Sequence, residues 1–455
     1  MKMVKIKNFA NAFGTLLCLL IGKASALTLT VGDKDSVCDA ATLIINGIMD
    51  YYEGIRYGGT VGIFQAPYYW WEAGEIWAGM IDTWYFCQND TYEDIIFDAL
   101  QAQKGSGNSF MPQNQTLTEG NDDQSFWGFA ALSAAERNFT NPSSDEPGWL
   151  ALAQGVYNTM WSRWDTSYCE GGLRWQIFTW NSGYDYKNTI SNACLFAIAA
   201  RLARYTKNDT YAETATTVYD WLKDVGYFKL DGDSYSVYDG ASITGNCSSV
   251  NTAQWTYNQA IVLGGAAYMA NYTGNNTWVT EVGRHISGMS VFLNNNILYE
   301  RQCASSNTCN NDQRSFKSIT SQYLGATARL VPDYSDQVME IIDTSAKGAA
   351  ESCSGGSDGH TCGTSWTSGS YDGNYGLGEQ ICALEVIQNT LVMQYDGPFD
   401  NSTGSSEGNS AEGLGYESST NPHEITVTTR DKAAAGIITT IVLAIVVALG
   451  IWMII

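Results

Sequence analysis

Histidine is the scarcest chemistry-bearing side chain in this sequence, with three in 455 residues: His285, His360 and His423. A three-His zinc centre or a paired-His metalloprotease helix has no material to draw on. Positive charge is thin as well. Lys and Arg number 24 against 47 Asp and Glu, a formal charge of -23, so the chain repels nucleic acid and other polyanions. Proline stands at only 7. There is no CxxC pair, no phosphate-cradling glycine loop and no Ser-His-Asp arrangement, so neither a metal nor a cofactor is expected. The short Asp231-Gly232-Asp233-Ser234 reads as a turn rather than a calcium loop. The surplus is aromatic: 15 Trp, 27 Tyr and 15 Phe. Such faces stack on sugars and apolar ligands, and they also fill large cores.

The two ends read as addresses. Lys2, Lys5 and Lys7 precede an apolar run from Ala12 to Ile21, and Ala24-Ser25-Ala26 offers a small-residue cleavage site. Residues 1–26 are expected to be a secretory signal peptide, with the mature chain starting at Leu27. Residues 433–455 are apolar and long enough to cross a bilayer, yet no Lys or Arg follows them. With a polar spacer at 421–432 and small residues at 415–420, this is the layout of a GPI-attachment signal, residues 421–455 being removed and Ser418 carrying the lipid. A single membrane span is the competing reading. Residues 400–420, rich in Gly, Ser and Glu, read as a flexible stalk, which leaves 27–399 as the folded domain. The expected location is the outer face of the plasma membrane or the cell wall.

Cysteine and asparagine agree with export. Apart from Cys18 there are ten cysteines, an even set for an oxidising compartment, and Cys303/Cys309 and Cys353/Cys362 are close enough to close local loops. Glycosylation sequons stand at Asn89, Asn114, Asn138, Asn208, Asn246, Asn271, Asn275 and Asn401.

Apolar spacing is helical almost throughout 36–393 and predicts twelve helices, near 36–54, 70–86, 92–104, 123–137, 147–164, 190–206, 209–225, 255–272, 277–295, 316–331, 335–350 and 376–393. A polar cap followed by an aromatic recurs at Tyr92, Trp149, Tyr211, Trp278 and Tyr334, in steps of 57, 62, 67 and 56 residues. That is the period of a helical hairpin plus a long loop. Connections alternate between short and long, so the long loops gather at one end. The expected fold is all-α: a disulfide-bonded (α/α)6 toroid of six hairpins, with a cleft where the inner helices begin. An open solenoid is the alternative, and it would need polar capping helices.

The same rim collects the chemistry-capable residues. Asp122 and Asp123 open the fourth helix within Gly120-Asn121-Asp122-Asp123-Gln124-Ser125-Phe126-Trp127-Gly128. One reading is helix capping. The other is catalytic: adjacent carboxyls cannot both ionise freely, so one stays charged as nucleophile while the other holds a proton as acid/base. Their adjacency suits the roughly 5–5.5 Å spacing of retaining glycosidases better than the roughly 6.5–9.5 Å of inverting ones. Candidate sugar-binding residues are Trp70, Trp71, Trp127, Trp175 of the Gly171-Gly172-Leu173-Arg174-Trp175 loop, Asp239 of Tyr238-Asp239-Gly240, and Tyr257, Asn258 and Gln259. A toroid lyase would want basic residues to neutralise a uronate, and this chain has few.

The paired-Asp segment GNDDQSFWG, followed in order by GGLRW, YDG and WTYNQA along a six-hairpin helical domain, resembles glycoside hydrolase family 76. The signal peptide and GPI-type tail are similar to its fungal cell-wall branch. The resemblance implies a retaining endo-α-1,6-mannanase on an (α/α)6 barrel, with Asp122 as nucleophile and Asp123 as acid/base. It further implies action on mannose-containing glycan, either α-1,6-mannan or the GPI core. In the fungal branch a β-glucan acceptor would receive the GPI protein. A glycan-binding wall protein that does not cleave is the alternative, the two Asp then acting as caps or hydroxyl acceptors.

Overall fold

The computed structural model describes residues 27–115, 118–415 and residue 439. The signal peptide, Ser418 and the tail lie outside them. Among the described residues twelve α-helices form two sets. The outer set comprises α1 (Lys34–Met49), α3 (Glu93–Gln103), α5 (Trp149–Ser162), α7 (Asp209–Asp224), α9 (Asn276–Gly288) and α11 (Ser335–Ser352). The inner set comprises α2 (Trp70–Cys87), α4 (Asn121–Glu136), α6 (Thr189–Thr206), α8 (Thr256–Thr273), α10 (Asn311–Leu330) and α12 (Leu377–Gln388).

Sequence pattern decides which helix goes where. The inner helices are buried nearly all round and rich in Ala, as in Ala130, Ala131, Ala134 and Ala135 of α4, which lets them pack on both sides. The outer helices bury one stripe; in α9 it is Glu281, Val282, His285 and Ile286. Each inner helix packs on the next, and α12 returns to α2, closing the ring. The Thr83 hydroxyl of α2 bonds Gln388 of α12 at 2.5 Å, and the Gln388 amide bonds the Gly79 carbonyl at 3.0 Å. The structure is thus the closed toroid and not the open solenoid.

Inner helices start at one end, the rim, and finish at the other, the base. At the base a buried Arg201–Glu136 pair at 2.9 Å, with the Tyr268 hydroxyl donating to Glu136 at 2.8 Å, plugs the axis. Long rim loops carry the strands: β1 (Tyr186–Asn188), β4 (Gly240–Ser242) and β5 (Val250–Asn251) form a sheet in the order β1-β4-β5, and β2 (Phe228–Asp231) pairs with β3 (Ser234–Val237). The Asp231-to-Ser234 segment is the turn of that hairpin, as expected.

Among the described residues four disulfides form: Cys38–Cys87, Cys169–Cys247, Cys303–Cys309 and Cys353–Cys362. The two short-range pairs match the expectation. Cys194 and Cys382 stay free because each sits inside an inner helix, buried in the core. Other differences are local. Helix α9 stops at Gly288 because β6 (Leu293–Asn294) and β7 (Ile297–Leu298) turn through Asn295 and Asn296, both at positive φ. Helix α10 begins five residues early, capped by the Asn310 side chain. Residues 400–415 are not a loose stalk: they run as a strap on the domain, fixed by hydrogen bonds from Asn138, Asn141 and Asn158.

Candidate active site

The first turn of α4 is bolted to the loop ahead of α6. The Asn121 backbone N–H donates to the Trp175 carbonyl at 3.0 Å and its side-chain amide to the Arg174 carbonyl at 2.8 Å. From the end of α5, Arg163 donates to the Asn121 side chain at 2.8 Å and also to Gln124. These bonds fix Gly120, the residue before the helix, and with it both carboxylates. Asp123 folds back so that its Oδ2 accepts the Gly120 N–H at 2.6 Å. Asp122 Oδ2 accepts the Trp175 indole N–H at 3.1 Å, while its Oδ1 is buried with no side-chain partner among the described residues. A Cβ on Gly120 would lie 2.6 Å from Asp122 Oδ1 and 3.0 Å from Asp123 Oδ2. The missing side chain is the space the pair occupies.

Burial raises both carboxyls. Asp122 is pushed well above the usual range by burial and then by the Asp123 charge, with the Trp175 bond opposing. Asp123 rises to about 6 through burial, partly offset by the Gly120 N–H. The sequence reading had one acid raised and one free to ionise; in the folded chain desolvation acts on both. Glu119 stands beside them, fully buried, with neither oxygen hydrogen-bonded among the described residues, and it is pushed well up by burial and by Asp123.

The pair lies in a cleft of about 610 Å³. Its lining comes from the starts of five inner helices: Trp70 and Trp71 of α2, the two Asp and Phe126 of α4, Ile190 of α6, Tyr257 of α8, and Asp312 and Phe316 of α10. Trp71 packs on Phe126 with ring centres 4.6 Å apart and donates to Asp312 at 3.0 Å. Tyr257 stacks on Phe316 at 3.7 Å. Asp239 is held by the Tyr186 hydroxyl at 2.7 Å and the Trp255 indole at 3.1 Å. The Trp175 ring rests on Gly183, whose positive φ and lack of a side chain admit it: a Cβ there would come within 2.3 Å of the ring.

Of the expected sugar-binding residues, Trp70, Trp71, Trp175, Asp239 and Tyr257 line this cleft, and Trp127, Asn258 and Gln259 do not. Trp127 is fully buried, stacked between Trp70 and Phe110; its neighbour Phe126 takes the cleft position, since consecutive helical residues point about 100° apart. Asn258 is buried within α8, and Gln259 donates to the His285 carbonyl at 3.0 Å in the outer packing layer. Sequence reasoning missed Glu119, Asp312 and Phe316. Asp312 was within reach, because Asn310 and Gln313 form a capping box that marks the true start of α10.

An all-α toroid whose rim cleft joins paired carboxylates to aromatic walls is a glycosidase scaffold. The sequence matches the family described as Glycosyl hydrolase family 76 over residues 36–402, and the chain belongs to that family. It is 52% identical over 433 residues to the mannan endo-1,6-alpha-mannosidase DFG5 of Saccharomyces cerevisiae, covering 94% of each chain. It is 48% identical to the enzyme of the same name from Candida albicans, over 97% of this chain and 98% of that one. Among solved structures it resembles Dfg5 from Chaetomium thermophilum in complex with glucosamine, at TM-score 0.82 and 36% identity, covering 86% of this chain and 99% of that one. An inactive variant of the α-1,6-mannanase GH76A of Salegentibacter, solved with α-1,6-mannotetrose, shares the fold at TM-score 0.63 and 17% identity, over 79% and 99% of the two chains.

Proposed function

We propose that the chain is a retaining glycosidase of the mannan endo-1,6-α-mannosidase type. The observation that carries this is the pair of carboxylate oxygens converging on Gly120. Both lie within 3.0 Å of one point, which puts them closer together than the roughly 6.5 Å an inverting pair needs to admit a water. In the first step, which needs the one proton of the pair on Asp123 and not on the more strongly raised Asp122, Asp123 gives that proton to the glycosidic oxygen, the bond to the anomeric carbon breaks, and Asp122 Oδ1 closes on that carbon as an ester. Asp122 Oδ1 is buried with no side-chain partner among the described residues, which leaves it free to stabilise the positive charge developing at the anomeric carbon. In the second step Asp123 removes the proton of an acceptor hydroxyl, whose oxygen displaces Asp122. Trp71, Trp175 and Tyr257 supply faces for the flanking sugars.

The donor is a mannose-containing glycan, and the GPI core fits it. The similar Dfg5 of Chaetomium thermophilum is solved in complex with an amino sugar, glucosamine. The acceptor is wall β-glucan, so that anchored proteins pass from membrane to wall. The enzyme itself is lipid-anchored through Ser418 at the outer face of the plasma membrane. To test this, the protein is incubated with an α-1,6-mannooligosaccharide and with a GPI-core glycan, with and without β-glucan, and products are followed by mass. Cleavage or transfer lost in both Asp122→Asn and Asp123→Asn supports the reading. Binding without turnover by the native protein makes it a lectin, and free ends without joined product remove the transfer step.

A further inference from the structure

One buried acid at the cleft is left over by the two-step displacement. Glu119 stands next to Gly120, is 2% exposed, and lines the cleft. Neither of its carboxyl oxygens has a hydrogen-bond partner among the described residues. Burying a carboxyl without partners is costly, and one that lines a cleft is placed for a ligand to supply the missing bonds.

The local backbone holds it there. The N–H groups of Thr118 and Glu119 both donate to the Gln115 carbonyl, at 3.0 and 3.2 Å, and Gly120 pairs antiparallel with Gln176 of the loop ahead of α6. Gln115, Thr118 and Gln176 also line the cleft, so this stretch of wall offers amides and a hydroxyl where Trp71, Tyr257 and Phe316 offer rings. The charge of Arg163 reaches Glu119, yet Arg163 spends its donors on Asn121, Gln124 and the Met111 sulfur. The carboxyl thus keeps its whole hydrogen-bonding capacity.

Its side of the cleft is set by the catalytic pair. Asp123 is the member whose charge acts on Glu119. As the acid that meets the glycosidic oxygen, Asp123 marks the side of the sugar that leaves and, in the second step, of the sugar that arrives. Burial first and the Asp123 charge second push the Glu119 carboxyl well up, so it holds a proton. A protonated carboxyl donates one hydrogen bond and accepts others, which suits two neighbouring sugar hydroxyls.

We propose that Glu119 is the specificity residue for the sugar on the leaving side of the scissile bond, its carboxyl bridging two adjacent hydroxyls of that sugar. This deepens the glycosidase reading above and rests on it. The class selected is a hexose with a free pair of adjacent hydroxyls, as the departing end of the donor or as the incoming acceptor.

The test compares two substrates on the full protein. α-1,6-Mannotetraose places a sugar on the leaving side, whereas α-1,6-mannobiosyl fluoride carries donor sugars and releases only fluoride. Glu119→Met keeps the length of the side chain and removes its hydrogen-bonding groups. Its kcat/KM is expected to fall about tenfold or more further on mannotetraose than on the fluoride, with Tm unchanged or raised, because a buried carboxyl without partners is lost. Glu119→Gln, which keeps a donor and an acceptor, should close most of that gap. Equal losses on the two substrates, or no loss on either, overturn the proposal. A gap accompanied by a large fall in Tm also overturns it, by assigning Glu119 a structural role, as does a Gln variant no better than the Met variant. Native protein that turns over neither substrate overturns the glycosidase reading itself.

Discussion

Gly120 is the position where one added methyl group separates chemistry from stability. Its backbone, at φ -93 and ψ 167, is open to any residue, so Gly120→Ala brings no backbone strain and trims unfolded-state entropy by about 0.4–1 kcal/mol. Most of the penalty falls on the catalytic pair, with a lesser contact to the Trp175 carbonyl at 3.2 Å. The new carbon would sit 2.6 Å from Asp122 Oδ1 and 3.0 Å from Asp123 Oδ2, about 0.7 Å inside normal carbon–oxygen contact for the first. Asp122 must swing away by that amount. A misplacement of about 1 Å at a reacting group costs up to roughly 100-fold, so a fall in kcat/KM of about 10- to 100-fold is expected, or about 1.4–2.7 kcal/mol in the barrier. The assay is steady-state cleavage of an α-1,6-mannooligosaccharide alongside thermal denaturation. Activity within twofold of the native enzyme would refute the geometry. A loss of activity matched by a large fall in Tm would refute the claim that the carboxylates take most of the strain.

Three further outcomes follow from the same contacts. Trp175→Phe keeps the ring on Gly183 and removes the one N–H that Asp122 Oδ2 accepts from a side chain; that bond favours the ionised form, so its loss raises Asp122 further and shifts the acidic limb of the pH–rate profile to higher pH. Trp127→Ala should lower stability by about 3–5 kcal/mol by opening a cavity in the core, whereas Trp71→Ala, at the cleft wall, should raise KM with a smaller change in Tm. Glu72 and Glu300 are raised from 4.5 to about 8, chiefly by burial. The folded chain therefore holds more protons than the unfolded one, and stability should fall, by a few kcal/mol or more, as pH rises from about 4.5 through 8. Chemical denaturation at a series of pH values checks the sign: stability that increases over this window contradicts it.

All twelve helices were legible, because inner and outer helices differ in how much of their circumference is apolar and each hairpin restarts at a polar cap and an aromatic. The rim cleft followed from loop length alone. What periodicity could not give was direction within a helix buried on every side. Trp127 and Phe126 are equally aromatic, and only the placement of α2 decides that Phe126 meets Trp71 in the cleft while Trp127 faces Phe110. Asn258 and Gln259 fell to the same ambiguity in α8. The strap escaped because its hold is made of hydrogen bonds from Asn138, Asn141 and Asn158, and a Gly/Ser-rich segment with no apolar period looks alike whether loose or tied down. The even count of ten cysteines could not single out Cys194 and Cys382 as free thiols, because a count says nothing of burial.

The central claim, a two-step displacement by Asp122 and Asp123, is tested most directly by the configuration of the first product. Proton NMR during the opening minutes of cleavage of an α-1,6-mannooligosaccharide reads the new anomeric centre before mutarotation. The account predicts that the α anomer appears first and the β anomer only as it equilibrates. A β anomer formed first would mean single displacement by water, and would contradict the nucleophilic role of Asp122.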